Sequence, residues 1–255
     1  MSEEIDLQPF GVSKTKRLCV PAAEDILYTK REFPHGLIRL IDYMGGDEAI
    51  YHAMTGGVGA EVVHGLNHAK LFDSARAMGA TNGFKFAQIK MHALMPIQSA
   101  LYWVYHEDFS INEYSGRYSI MLDSGRTLGK EEVEDLLAKK LEGLSKRQGR
   151  QLVEHVEQTF SGSQHAARGL YEVFIAAGLA RELARIGLGL GTHTTFYIGA
   201  NLEQFMGAIT QAKDLAHKHP HMKYLGPEAE EFEYIVKQVA PEGVASYLRG
   251  KQRKH

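Results

Sequence analysis

The chain has 255 residues, 44% of them apolar and 24% charged, enough for a sizeable core and ordinary for a globular protein. Lysine plus arginine (29) nearly balances aspartate plus glutamate (31), and a net charge of −2 gives no support to a general nucleic-acid or membrane-surface role. One cysteine, Cys19, excludes an intrachain disulfide framework and a cysteine-based zinc site, and no apolar run approaches the ~18 residues that span a bilayer.

The acidic start MSEEIDLQ does not read as a signal peptide, so a reducing cytoplasm is the expected location. Residues 1–35 carry Pro9, Pro21 and Pro34 without a lasting apolar period and are expected to form an extended arm, with 36–255 as a single domain. LIRLIDYMG (37–45) predicts a strand ending in a Gly-Gly turn, and DEAIYHAM a short helix capped by Asp47. VGAEVVHGLNHAKLFDSARAMG (58–79) has helical apolar spacing and stops at Gly79. FKFAQIKMHAL (84–94) alternates as a half-buried strand does, and Pro96 opens a helix over PIQSALYWVYH. After a polar segment at 105–119, helices are expected at about 130–146 and 148–177, with LARELARIGL restarting after Gly178. A strand near THTTFYIGA, a helix NLEQFMGAITQAKDLAHK and one or two more helices over 227–249 complete the chain. Without strict βαβ alternation, the class is α+β.

Several motifs have bland readings. His64 and His68 stand at i and i+4, a zinc-ligand spacing, but Gly65 occupies the place of the glutamate in HExxH. HKHPH (217–221) is interrupted by Pro220, so no metal site is expected. GLGLG (187–191) lacks the G-x-G-x-x-G spacing between a strand and a helix, and reads as a helix terminus with close backbone packing.

The segment NEYSGRYS (112–119) is richer. Ser115 and Gly116 let backbone N–H groups approach an anion, and Arg117 offers a planar fork suited to phosphate oxygens. Glu113 is placed to accept from a sugar hydroxyl or a base N–H. On these residues alone, an anion loop and a solvated turn both fit.

The pattern S-x-N-E-x-S-x-R-Y-S, here Ser110, Asn112, Glu113, Ser115, Arg117, Tyr118 and Ser119, resembles the signature of the flavin-dependent thymidylate synthases, the ThyX family. The resemblance runs from about residue 36 to 249, through GLIRLIDYMGGDEAI, FKFAQIKMHALMPI with Trp103, LARELARIGLGL and NLEQFMGAITQAKDLAH. It implies a mixed sheet packed by long helices and a homotetramer with shared active sites. Each site would bind FAD, take a one-carbon unit from methylenetetrahydrofolate, use NADPH as reductant, and methylate C5 of UMP or dUMP. By position, Tyr102, Glu113, Tyr114, Ser115, Gly116, Arg117 and Arg185 would hold the nucleotide. Asn82, Tyr105, His106, Glu107, Ser110, Asn112, Asn201, Glu203 and His217 would border the flavin. Because reduced flavin donates the hydride, no cysteine nucleophile is required, and Cys19 lies outside the matched region.

Three departures stand out. The family's Arg-His-Arg is here Tyr105, His106 and Glu107, followed by Asp108, which inverts local charge. Its His-Glu-Thr-Pro-Phe-Glu-His stretch is here ATNGFKF (80–86). The uracil-polarising arginine corresponds to Lys213 in one register and to Gln211 or Ala212 in others, leaving Arg185, Lys213 and Gln211 as the expected catalytic set. The departures point to a specialised branch, such as the UMP-methylating one of nucleoside-antibiotic (polyoxin) biosynthesis, with Tyr102, Tyr105 and Glu107 as sensors of the sugar. The competing readings are a catalytically silent nucleotide-binding paralogue and a metal hydrolase built on His64 and His68.

Overall fold

Pro21 lacks a backbone N–H and therefore suits the first position of a helix; it opens α1 (Pro21–Glu24), the first element of the computed structural model, which describes residues 19–56, 67–106, 109–122 and 124–252. Strand β1 (Arg31–Phe33) follows. The described part of the expected arm is thus docked rather than extended. Ala23 is buried, the Tyr43 hydroxyl donates to Glu24 Oε1 at 2.5 Å, and Arg31 Nε donates to Glu231 Oε2 at 2.7 Å. Proline spacing hid this because the anchoring partners lie far along the chain.

The chain continues through β2 (Gly36–Met44), α2 (Asp47–Met54), α3 (His68–Ala77), a 3-10 turn (Asn82–Phe86), β3 (Gln88–Pro96), α4 (Ile97–Tyr105) and β4 (Ser110–Glu113). Then come α5 (Lys130–Leu141), α6 (Lys146–Ala176), the single-turn α7 (Arg181–Ala184), β5 (His193–Asn201), α8 (Leu202–Lys218), α9 (Leu225–Val239) and α10 (Pro241–Gln252). The first half of the helix expected over 58–79 lies largely outside the described residues; its second half is α3, closed by Gly79 at φ +73°, as expected. The start expected at 84 falls in the 3-10 turn, so β3 begins four residues later. LARELARIGL forms only α7 and a 3-10 turn at Arg185–Gly187.

The five strands lie in the order β1-β2-β3-β5-β4, and all pairings between them are antiparallel. The expected mixed sheet is corrected on this point. Met44 pairs with Gln88, and Pro96 with His193, so each long excursion leaves and re-enters the sheet at one end. A chain that returns to the end it left runs antiparallel. The second excursion, 97–192, is closed by Ile97 N donating to Thr192 O at 2.9 Å.

A bulge between Leu40 and Asp42 shifts the alternation of β2, so Ile38, Leu40 and Tyr43 all point inward. They join Met91, Ala93, Met95, Phe196 and Ile198 on one sheet face. Helix α8 covers that face with Phe205, Met206, Ile209 and Ala212, and α9 with Leu225, Phe232, Ile235 and Val236, the spacing of an amphipathic helix. A second, smaller core of Met121, Tyr171 and Ala184 lies beneath the segment after β4.

Candidate functional site

Strand β4 is short, and its period of two divides the signature between opposite faces of the sheet. Glu113 pairs with Phe196 and Ile111 with Ile198, residues of the core-facing set, while Ser110 and Asn112 pair with Gly199 and Tyr197 on the opposite face. Glu113 Oε1 accepts from the Thr194 hydroxyl at 2.7 Å, and Thr194 is buried. Tyr114 N extends the ladder to Thr195 O at 2.8 Å.

The chain then turns. Tyr118 N and Ser119 N donate to Ser115 O at 3.2 and 3.3 Å, and the Tyr114 hydroxyl donates to Ile120 O at 2.7 Å across the turn. Gly116 is buried where a β-carbon would lie 2.5 Å from Met121 Sδ and 3.3 Å from both Cδ and Nη1 of Arg185. Glycine is therefore what lets Arg185 lie against the turn. From α7, just before Arg185, Arg181 Nη1 donates to Tyr118 O at 2.6 Å, and Glu182 Oε1 lies 3.4 Å from Arg117 Nε. Below, Arg168 Nη1 donates to Met121 O and Leu122 O, and Tyr171 accepts from Met121 N at 3.0 Å. Ser115, Gly116, Arg117 and Arg185, some 70 residues apart in sequence, are thus gathered at one turn.

Tyr102, the remaining residue expected to hold the nucleotide, stands beside α8. The Tyr102 hydroxyl donates to Ala208 O at 2.7 Å, its ring centre lies 5.3 Å from that of His106, and His106 Nε2 meets Gln211 Oε1. Lys213 points elsewhere, to Glu233 Oε2 of α9 at 2.5 Å. Of the three positions, Gln211 is the one brought to His106, and Ala212 is buried in the core. Tyr105 is 81% exposed, and Glu107 and Asp108 lie outside the described residues.

On the outer sheet face a hollow of about 680 Å³ is lined by Asp42, Gln88, Lys90, Ser110, Asn112, Tyr197 and Gln204. A second, of about 690 Å³, is lined by Asp73, Arg76, Thr81, Glu203, Tyr247, Arg249 and Lys251. Adjacent residues Glu203 and Gln204 line one each, so the hollows flank the start of α8. Asn201 caps that helix by accepting from Gln204 N at 3.1 Å, and Asn82 is exposed at the head of the 3-10 turn before β3. Arg76 Nη2 donates to Glu203 Oε1 at 2.7 Å and its guanidinium sits 4.1 Å from the centre of the Phe84 ring. His217 is not brought to this group: it stands sixteen positions along α8 from Asn201, roughly 24 Å along the axis.

One buried carboxyl stands apart. Glu228 Oε2 accepts from Trp103 Nε1 at 2.9 Å, and burial pushes its pKa up to about 7 against the donors Ser99 and Trp103 and the Arg126 charge. Among the described residues no cluster of three His, Cys, Asp or Glu side chains is arranged to hold a metal ion, and no helix is long and apolar enough to cross a membrane. His68 lies 3.4 Å from Glu48, and His64 is outside the described residues.

Thr194, Glu182 and Arg76 escape sequence reasoning. Only Thr194 leaves a trace there, as a hydroxyl in phase with the inward residues Phe196 and Ile198 of β5.

Comparison with known proteins identifies the family. Residues 39–242 match the family described as thymidylate synthase complementing protein. The flavin-dependent thymidylate synthase of Anaplasma marginale is 31% identical over 193 residues, 75% of this chain and 66% of that protein. The enzyme of the same name from Rickettsia conorii is 33% identical over 251 residues, covering 89% of this chain and 81% of its own. The crystal structure of the UMP/dUMP methylase PolB from Streptomyces cacaoi bound with 5-Br UMP superposes with a TM-score of 0.63 at 20% identity, over 84% of this chain and 94% of that one. The chain belongs to the thymidylate synthase complementing protein family.

Proposed function

We propose that this protein methylates C5 of a uridine monophosphate, UMP or dUMP, with FAD as cofactor, methylenetetrahydrofolate as one-carbon donor and NADPH as reductant, in the cytoplasm. The observation that carries the reading is the gathering of Ser115, Gly116, Arg117 and Arg185 at one turn, beside a strand that presents Glu113 on one face and Ser110 and Asn112 on the other. Relatives named flavin-dependent thymidylate synthase support it.

The donor set suits a flavin dinucleotide. Side-chain amides of Gln88, Asn112 and Gln204 with the Lys90 ammonium suit the edge of a heterocycle, and Arg76, Arg249 and Lys251 of the second hollow would meet a diphosphate, the two arginines in exchange for their present partners Glu203 and Asp73. They offset the cations lost where Tyr105 and Glu107 replace arginines. When bound, the reduced flavin supplies the hydride that completes the methyl group.

This chain's own residues bind and orient. Arg117 and Arg185 hold the phosphate, Glu113 accepts a hydrogen bond from the nucleoside, and Gln211 faces the uracil edge in preference to Lys213. Tyr102 is fixed against α8 through Ala208 O. Fixing the pyrimidine in this way supplies proximity and orientation. A site completed by neighbouring copies in a homotetramer accounts for His217, which no single copy brings to Asn201. The nucleotide-binding residues are retained while the flavin side departs from the family pattern, which favours a specialised branch of the nucleoside-antibiotic kind.

The test is direct. Purified protein should carry or take up FAD, seen as a yellow flavin spectrum, and should convert UMP or dUMP to the 5-methyl product in parallel assays with methylenetetrahydrofolate and NADPH. Protein that stays colourless after reconstitution, or that binds uridylate without exchanging the C5 hydrogen, overturns the reading.

A further inference from the structure

Arg117, assigned to the phosphate, already holds a carboxylate, that of Glu182. Arg117 Nε lies 3.4 Å from Glu182 Oε1, and both side chains are more than half exposed. Glu182 is one of three charged residues that α7 and the turn after it direct at the signature. Arg181 is committed to Tyr118 O at 2.6 Å, and Arg185 packs against Gly116. These two contacts hold the short helix on the turn, so the carboxylate between them stays at Arg117 rather than swinging into solvent.

We infer that Glu182 occupies Arg117 in the place of the substrate's phosphate, and that its charge disfavours nucleoside di- and triphosphates relative to the monophosphate. The inference rests on the proposed uridylate site. An entering phosphate must displace the Glu182 carboxylate from Arg117 or share the guanidinium with it. A monophosphate, carrying about 1.5 to 2 negative charges near pH 7, is balanced by Arg117 and Arg185 once Glu182 is displaced. Every further phosphate adds negative charge beside the Glu182 carboxylate, while the Arg181 guanidinium is held in place at Tyr118 O. The displaced carboxylate, tethered on α7, then repels the longer polyphosphate most. Because the pair is exposed the effect is modest per charge, and it grows as salt is lowered.

Binding of UMP, UDP and UTP to the full chain, wild type and Glu182→Gln, is measured by titration calorimetry at low and at 0.15 M salt. The expected result is binding tightened about two- to five-fold for UMP, with a gain rising from UMP through UDP to UTP and shrinking at the higher salt. Circular dichroism of the variant, and Glu182→Ala as a second substitution, separate loss of charge from loss of fold. Equal gains for all three nucleotides, no gain, or weaker binding by both variants overturns the inference while leaving the uridylate site in place. Failure of the wild-type protein to bind UMP at all removes the parent reading and this one together.

Discussion

Thr194 donates its hydroxyl to Oε1 of Glu113 at 2.7 Å from a fully sheltered position on the neighbouring strand. Glu113 itself is exposed, so this hydrogen bond is what gives its carboxylate one orientation. Thr194→Val keeps the shape and removes the donor. A hydrogen bond to a charged group contributes roughly 1.5–3 kcal/mol, discounted here because water reaches Glu113. The expected outcome is a KM for uridylate raised about three- to tenfold with the melting temperature little changed. Steady-state kinetics beside a thermal melt checks it; an unaltered KM would show that Glu113 needs no such restraint.

Gly116 separates two requirements that are easily confused. Its φ is not in the left-handed region; it is glycine because Met121 and Arg185 occupy the space of a side chain. Gly116→Ala must push Arg185 off the turn or move Met121, and nucleotide affinity should fall at least about tenfold, the scale of one charge-assisted hydrogen bond. Calorimetric titration with UMP measures this directly.

The register of α8 can be decided by a pair of substitutions. Gln211 meets His106 beside Tyr102, whereas Lys213 is paired with Glu233. Gln211→Ala should lower turnover by about tenfold or more. Lys213→Ala should leave turnover within about twofold and cost at most ~1 kcal/mol of stability, since its ion pair is partly exposed. The reverse pattern would return the role to Lys213.

Glu228 makes a pH prediction. Its folded pKa, about 7, lies above the ordinary 4.5 because burial outweighs its hydrogen bonds to Trp103 and Ser99. For a raised carboxyl the stabilisation is complete below the unfolded pKa and is lost as pH rises through the folded one. Stability should therefore decline between about pH 4.5 and 7 by an amount on the order of 3 kcal/mol from this group. Glu228→Gln, which retains acceptors for Trp103, should flatten that decline; denaturant melts at pH 5 and pH 8 compare the two proteins.

What could be read from residues alone was whatever repeats within a few positions. The alternation of HTTFYIGAN, the helical spacing of LEQFMGAITQAKDLAHK and the turn chemistry of YSGRY are local, and this strand, this helix and a turn at 115–119 appear in those places. The helix expected at LARELARIGL shrank to a single turn, because its place is decided by contacts with the signature turn and α6 rather than by propensity. The all-antiparallel sheet, the docking of residues 19–35, Thr194 behind Glu113, Gln211 at His106 and Glu182 at Arg117 depend on partners about 65 to 200 residues away. No local period encodes such distances. Chain packing alone chooses which side chains, among many of suitable chemistry, finally meet.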